Sequence, residues 1–217
     1  MIPAFTKHRS AGVSYESLIL SDTPAALWML NELSGSACAE AVAGLGATLT
    51  GTYSRGQVGP VGVGGIATQL ITNAYATTAA TTKLDAATLS VEFWFNQSNS
   101  AGDPVAYGTS NYLRIQTNPN TVNTIFSAAN QLSSAAYTKN AWHHAVTVMT
   151  PTGLKTYIDG VLSASNANAY PSQTDSNVIY LGVGVTAEYF QGLLAAIAIY
   201  KYELSAAQVL AHYNAGK

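Results

Sequence analysis

Charge is what this sequence has least of. Only 9% of its 217 residues are Asp, Glu, Lys or Arg, against roughly 25% in an average soluble domain. The 9 Lys and Arg are scattered and the net charge is −2, so no basic footprint for nucleic acid or anionic lipid exists. Nucleic acid and membrane surfaces are therefore not expected partners. A surface so poor in charge has weak colloidal repulsion, which predicts extensive protein contact, as a homo-oligomer or within a larger assembly. Cysteine is almost missing as well. Cys38 stands alone, which excludes an intrachain disulfide. No stretch approaches the ~20 apolar residues of a spanning helix. The opening "MIPAFTKHRSAGVSYESLILSD" lacks the apolar run of a signal peptide, so the expectation is a soluble protein that does not use the secretory route.

The motifs of catalysis are also sparse. Glycoside hydrolysis usually needs two carboxylates flanking the bond, and the 11 Asp and Glu are dispersed along the chain. No GxSxG elbow occurs. "GVGGIA" (62–67) matches a loose dinucleotide fingerprint, but no opening helix or distant acid accompanies it. The expectation is a protein that is not an enzyme and needs no cofactor.

What the chain does have is apolar and β-forming. Hydrophobic residues make up 48%, with 13 Tyr and 3 Trp, a composition that builds a core. Short β-type runs recur between Gly-, Asn-, Ser- and Pro-containing turns. "TLSVEFWFN" (88–96) alternates, with Leu89, Val91, Phe93 and Phe95 on one face and Ser90, Glu92, Trp94 and Asn96 on the other. Further strands are expected around 26–30, 47–53, 66–71, 111–117, 122–128, 177–183 and 192–201. One helix closes the chain, with Ser205 and Gln208 placed as a capping box. Many evenly spaced strands and one terminal helix predict an all-β sandwich.

"AWHHAVTVMTPTGLKTYIDGVLSA" (141–164) is the stretch where chemistry invites attention. In a strand, His143 and His144 point to opposite faces, so they do not ligate one metal together. His144 shares a face with Trp142, Val146 and Val148 and reads as a hydrogen-bonded core histidine. Asp159-Gly160, between two β-type runs, reads as a type I′ hairpin turn.

Four segments in order carry a resemblance: "PAALWMLNELSG" (24–35), "TLSVEFWFN" (88–96), the 141–164 stretch, and "YFQGLLAAIAIYKYELSAAQVLAHYNAG" (189–216). Together they resemble the laminin-G-like branch of the concanavalin A-like lectin/glucanase superfamily, over about residues 15–217. The resemblance implies a two-sheet antiparallel jelly-roll sandwich with a short C-terminal helix. Residues 1–14 lack periodicity and read as a frayed N-terminal arm or, alternatively, as a segment that orders on a partner through the basic cluster Lys7, His8 and Arg9. Some relatives bind Ca²⁺ through loop oxygens. Here Glu40 stands in place of the usual Asp, Ala195 and Ala196 replace acids near the end, and only Asp103, Asp175 and Glu188 remain as loop ligands. Calcium is not favoured, and no metal site is assigned.

The run "SYESLILSDTPAALWMLNE" (14–32) is also similar to the start of such modules in bacteriophage virion proteins. This implies a structural module decorating a phage capsid or tail, partnered by other virion proteins and located in the extracellular particle. The alternative is a lectin-like adhesion module for host glycans. Its candidate ligand residues are Tyr107, Asn111, Tyr112, Tyr170 and Asn177, which lie in or beside loops.

Overall fold

Asp159 and Gly160 take φ values of 51° and 79°, as the tight turn requires, and join strands Gly153–Ile158 and Val161–Asn166. The computed structural model describes residues 14–98, 101–108, 113–126, 131–171, 177–184 and 187–217. In chain order these form α1 (Tyr15–Ser21), β1 (Ala26–Trp28), β2 (Ala37–Cys38), β3 (Ala47–Val58), β4 (Ile66–Thr77) and β5 (Leu89–Gln97). There follow β6 (Gly102–Tyr107), β7 (Leu113–Asn118), β8 (Thr121–Ile125), β9 (Gln131–Ser133) and β10 (His143–Thr150). The hairpin supplies β11 and β12, and β13 (Ile179–Leu181), β14 (Gly192–Tyr200) and α2 (Ala206–Gly216) complete the chain.

Pairing runs along one path, β12-β11-β10-β5-β14-β4-β13-β6-β7-β8-β9. The two separate sheets of the expected jelly roll are thus joined. The joint is β4, which is 12 residues long. Its start pairs with β14 through Thr68–Leu70, and its end pairs with β13 through Ala76 and Thr77. The path curls until its ends meet. The Asn166 amide donates to the Gln131 carbonyl at 3.0 Å, and the Ala135 N–H donates to Ser163 Oγ at 2.8 Å. The result is a nearly closed antiparallel sandwich with two helices.

The main core lies between the two halves. Leu89, Val91, Phe93 and Phe95 of β5 meet Val105, Tyr107, Leu113, Ile115 and Val122 of the other half. Each such side chain stabilises by roughly 1.5–3 kcal/mol when fully buried. Thr124 Oγ1 donates to Thr147 Oγ1 at 3.1 Å across this core.

A second cluster sits on the outer face of β5, β10 and β14. Tyr15 and Ile19 of α1, Leu204, and Val209 of α2 cover Trp94, Val146, Val148, Ala195 and Ala198 there. Ser14 caps α1 by accepting from Ser17 N, and the Ser205–Gln208 capping box opens α2 as predicted. The face of β5 that carries Ser90, Glu92 and Trp94 is consequently buried.

The outer face of the other half has a different composition. Thr77, Tyr180, Ala106, Arg114 and Ile125 stand in one ladder row across β4, β13, β6, β7 and β8. Their chain neighbours Ala76, Leu181, Val105, Ile115 and Phe126 belong to the main core, so this row points away from it.

Candidate functional site

His143 and Asp159 form a close pair that works structurally. His143 Nδ1 lies 2.7 Å from Asp159 Oδ2, and Nε2 lies 2.8 Å from the Thr138 carbonyl. Both ring nitrogens are engaged by these contacts. Burial opposes the charge, but Asp159 outweighs it and raises the imidazole above its ordinary value. Asp159 also accepts from His144 N at 2.9 Å, which ties the hairpin turn to β10.

Two other ionisable centres are more elaborate. The first is Glu92, wholly buried under the helices. It accepts from Tyr15 Oη at 2.5 Å and Tyr200 Oη at 3.3 Å, and His212 Nδ1 lies 2.8 Å away. His144 Nε2 sits 3.1 Å from Oε1, off the hydrogen-bond line, so that contact is electrostatic. The far side of His212 faces Asp22 Oδ2 at 2.9 Å, and Gln208 donates to the same oxygen at 3.1 Å. Burial pushes the Glu92 carboxyl up, yet the two histidines outweigh it and hold it well below the usual range. Burial lowers His212, but Glu92 and Asp22 overcome it and raise the imidazole. This knot fastens α1 and α2 to β5. Glu92, His144 and His212 have no solvent exposure, so a substrate has no access to it.

The second centre lies on the outer face of β6 and β7. Arg114 Nε donates to Asp103 Oδ2 at 2.6 Å, and Nη2 donates to Oδ1 at 3.3 Å. Nη2 also reaches Glu188 Oε1 at 3.0 Å. Asp103 is fully buried, whereas the Glu188 side chain is 30% exposed. Burial pushes the Asp103 carboxyl up to about 6, against the pull of Arg114 and with the aid of Glu188. Gly184 makes room for the pair. A Cβ there would stand 2.1 Å from Asp103 Oδ2 and 2.6 Å from Glu188 Oε2.

Three half-buried tyrosines flank this centre. Tyr180 shares the ladder row of Arg114, with only Ala106 between them. Tyr75 lies two residues before Thr77 on the same face. Tyr189, bridged by backbone to Asp103 and Val183, sets its ring 6.0 Å from that of Tyr75 at a tilt of 50°. Gln116 and Asn123 form the next row. Aromatic faces beside fixed polar groups are what a polyhydroxylated ligand requires.

Three of the five ligand residues expected from the sequence, Tyr107, Tyr170 and Asn177, are buried. Tyr107 turns into the core and donates to Asp85 Oδ1 at 2.7 Å. Tyr170 packs on Phe126 with ring centroids 4.9 Å apart. Asn177 is buried, in a backbone bridge with Thr81. These three present no open ring or amide to a sugar, because they occupy the inward or enclosed positions of their segments. Asn111, Tyr112, Lys7, His8, Arg9 and Asp175 lie outside the described residues. Strand parity was the missed signal: Tyr180 alternates with core residues Ile179 and Leu181, and Arg114 with Leu113 and Ile115.

Two of the calcium candidates, Asp103 and Glu188, do converge, but the Arg114 guanidinium occupies the space between them. Glu40 is also committed, accepting backbone N–H groups from Leu27, Val42, Ala43 and Leu45. It lines a small cavity of about 140 Å³ with Glu16, Leu27 and Met29, and its carboxylate there organises the 40–45 turn.

A family model described as the concanavalin A-like lectin/glucanases superfamily, of laminin-G type, matches residues 70–210. The chain belongs to this superfamily. Among solved structures of the same fold is domain 4 of AbnA, an extracellular GH43 arabinanase from Geobacillus stearothermophilus, in complex with arabinotriose. The TM-score is 0.69 and the identity 17%, over 89% of this chain and 98% of that one. The receptor binding domain of botulinum neurotoxin mosaic serotype C/D gives a TM-score of 0.68 at 13% identity, over 89% and 51%. Trypanosoma rangeli sialidase in complex with the inhibitor DANA gives 0.65 at 11%, over 87% and 32%. The superfamily domain thus spans about half of the toxin domain and a third of the sialidase. At these identities the likeness concerns the fold. No curated protein sequence matches the chain.

Proposed function

We propose that this protein is a non-catalytic carbohydrate-recognition module, and that sugars bind on the outer face of β13, β6 and β7. The observation that carries the reading is the grouping of Tyr75, Tyr180 and Tyr189 around the Arg114–Asp103–Glu188 centre, on the half of the sandwich that the helices leave uncovered. We read the two halves of the strand path as the two sheets of a jelly roll. The C–H faces of a sugar ring pack on tyrosine, while its hydroxyls bond to the phenol groups. The arabinotriose complex of the AbnA domain makes arabino-oligosaccharides a sensible first probe. Calorimetric titration of the whole chain with neutral trisaccharides should show saturable binding, at least tenfold weaker in Tyr189→Ala. Binding unchanged by that substitution would place recognition elsewhere.

A second reading, a structural module of a virus particle with homo-oligomeric contacts, is favoured by the charge-poor composition and by the exposed apolar side chains Leu33, Val58 and Val61. Light scattering tests its oligomeric part. A monodisperse monomer at high concentration would remove that support.

A further inference from the structure

The two helices do not cover the whole outer face of their own half. We propose that the row they leave open, Trp142–Asn96–Leu193–Gln69, is a second saccharide site that takes neutral sugars. Its ligand class rests on the reading above, but it shares no residue with the tyrosine face.

Asn96 of β5, Leu193 of β14 and Gln69 of β4 are direct ladder partners. Phe95, Leu194 and Leu70 beside them in the chain belong to the main core, so the three point outward. Trp142 immediately precedes His143, the partner of Phe95, which sets it beside Asn96 at the end of the row. Trp142 and Leu193 both pack against the rim of the helix-covered cluster. That cover stops one row short. Tyr213 stacks on Trp94 with ring centroids 5.9 Å apart. Gly216, the last residue of α2, lies so close that a Cβ would stand 2.4 Å from Trp94 Cζ2. Trp94 is therefore buried, whereas Trp142, Asn96, Leu193 and Gln69 are all half-buried.

The bonding capacity of this row is unspent. The Trp142 indole N–H and the Asn96 and Gln69 amides make no hydrogen bond to any described residue. Each amide offers donors and an acceptor, which matches a hydroxyl that does both. The indole adds a flat apolar face with a polar edge, and Leu193 keeps the floor between the amides apolar. No member of the row is charged, so an ionic ligand would give up water without a countercharge. A peptide strand has no edge to extend there, because β5, β14 and β4 are paired on both sides. A neutral polyhydroxylated ring is what these groups fit.

Trp142 is its own reporter, since Trp28 and Trp94 are 0% and 2% exposed. Acrylamide quenching of the full chain should fall saturably as arabinotriose, maltotriose or galactotriose is added, and calorimetry should count two sugars per chain. Gln69→Ala, which breaks no internal hydrogen bond, should weaken one site about tenfold and remove the quenching protection at the same sugar concentration. Tyr189→Ala should weaken the other site and spare the protection. Thermal melts confirm that both variants are folded. If a single site appears, Tyr189→Ala removes it and sugar never protects the tryptophan, the row is not a site and the tyrosine face stands. If the single site is lost with Gln69→Ala and kept in Tyr189→Ala, the row stands and the tyrosine face falls. Protection that persists at full strength in Gln69→Ala would overturn the inference. If no sugar binds, both readings fall together.

Discussion

Glu92 and Asp103 are both carboxylates buried on the outer faces of strands, yet they have been treated in opposite ways. Glu92 is covered by two helices, faced by two histidines and two tyrosines, and held ionised. Asp103 has one strong cationic partner, a second acid beside it, and a carboxyl pushed up to about 6. Removing one member of a buried, multiply bonded network strands several others, so such a network holds elements in place. Asp103 instead sits beside a partly exposed acid, Glu188, and shares one guanidinium with it. The contrast teaches that burial of a carboxylate does not identify a functional site. The question is whether its partners use up its bonding.

Breaking the enclosed knot should give the largest effect. Glu92→Ala leaves His212, Tyr15 and Tyr200 without their common acceptor and His144 without its facing carboxylate, and the expected loss is about 3–5 kcal/mol in urea unfolding. At ~2–4 °C per kcal/mol for a chain of this size, the melting temperature should fall by roughly 10 °C. A loss under about 1 kcal/mol would show that the knot does not hold the helices.

His212→Ala should cost about 2–3 kcal/mol and change a pH slope. His212 is raised above its unfolded value, so its contribution is complete below about pH 6.5 and fades as pH climbs through the folded value. Wild-type protein should lose stability on the alkaline side of neutrality, and the variant should lose less across the same interval.

Asp103 sharpens the comparison from the other side. Its folded value of about 6 exceeds the ordinary 3.8, so the native state binds the proton more tightly. Stability should then fall as pH rises from about 4 to 6, by an amount on the order of 2 kcal/mol. Asp103→Asn should flatten that slope, measured as melting temperature against pH. An unaltered slope would assign it to another group.

Tyr189→Ala should be the mildest for the fold, under about 1 kcal/mol, while weakening sugar binding at least tenfold. Equal damage to stability and to binding would make Tyr189 a packing residue.

Sequence patterns made the β-sandwich readable wherever signals were local. The Asp159-Gly160 turn, the Ser205–Gln208 box and the alternation of 88–96 each depend on neighbours within a few residues. The short helix α1 was missed because seven residues offer little period beyond the Tyr15–Ile19 pair. β6 was missed because Gly102 and Pro104 demote a strand on paper, whereas the ladder accommodates them with a register shift between Gly102 and Val105. The burial of the Ser90, Glu92 and Trp94 face of β5 is not legible locally, since nothing near Glu92 announces a histidine 120 positions away. The outward tyrosine face follows from strand parity, whereas Tyr107 and Tyr170, beside loops in the sequence, are buried.

The meeting of β12 and β9 bears on how such a protein survives crowding. An edge strand offers unpaired N–H and C=O groups to any stranger, and a chain with only 9% charged residues has little means of keeping strangers away. Here each edge blunts the other, with Asn166 and Ser163 spanning the seam to Gln131 and Ala135. Opening that seam would expose two sticky borders at once, so these small polar side chains guard against runaway β-stacking between copies.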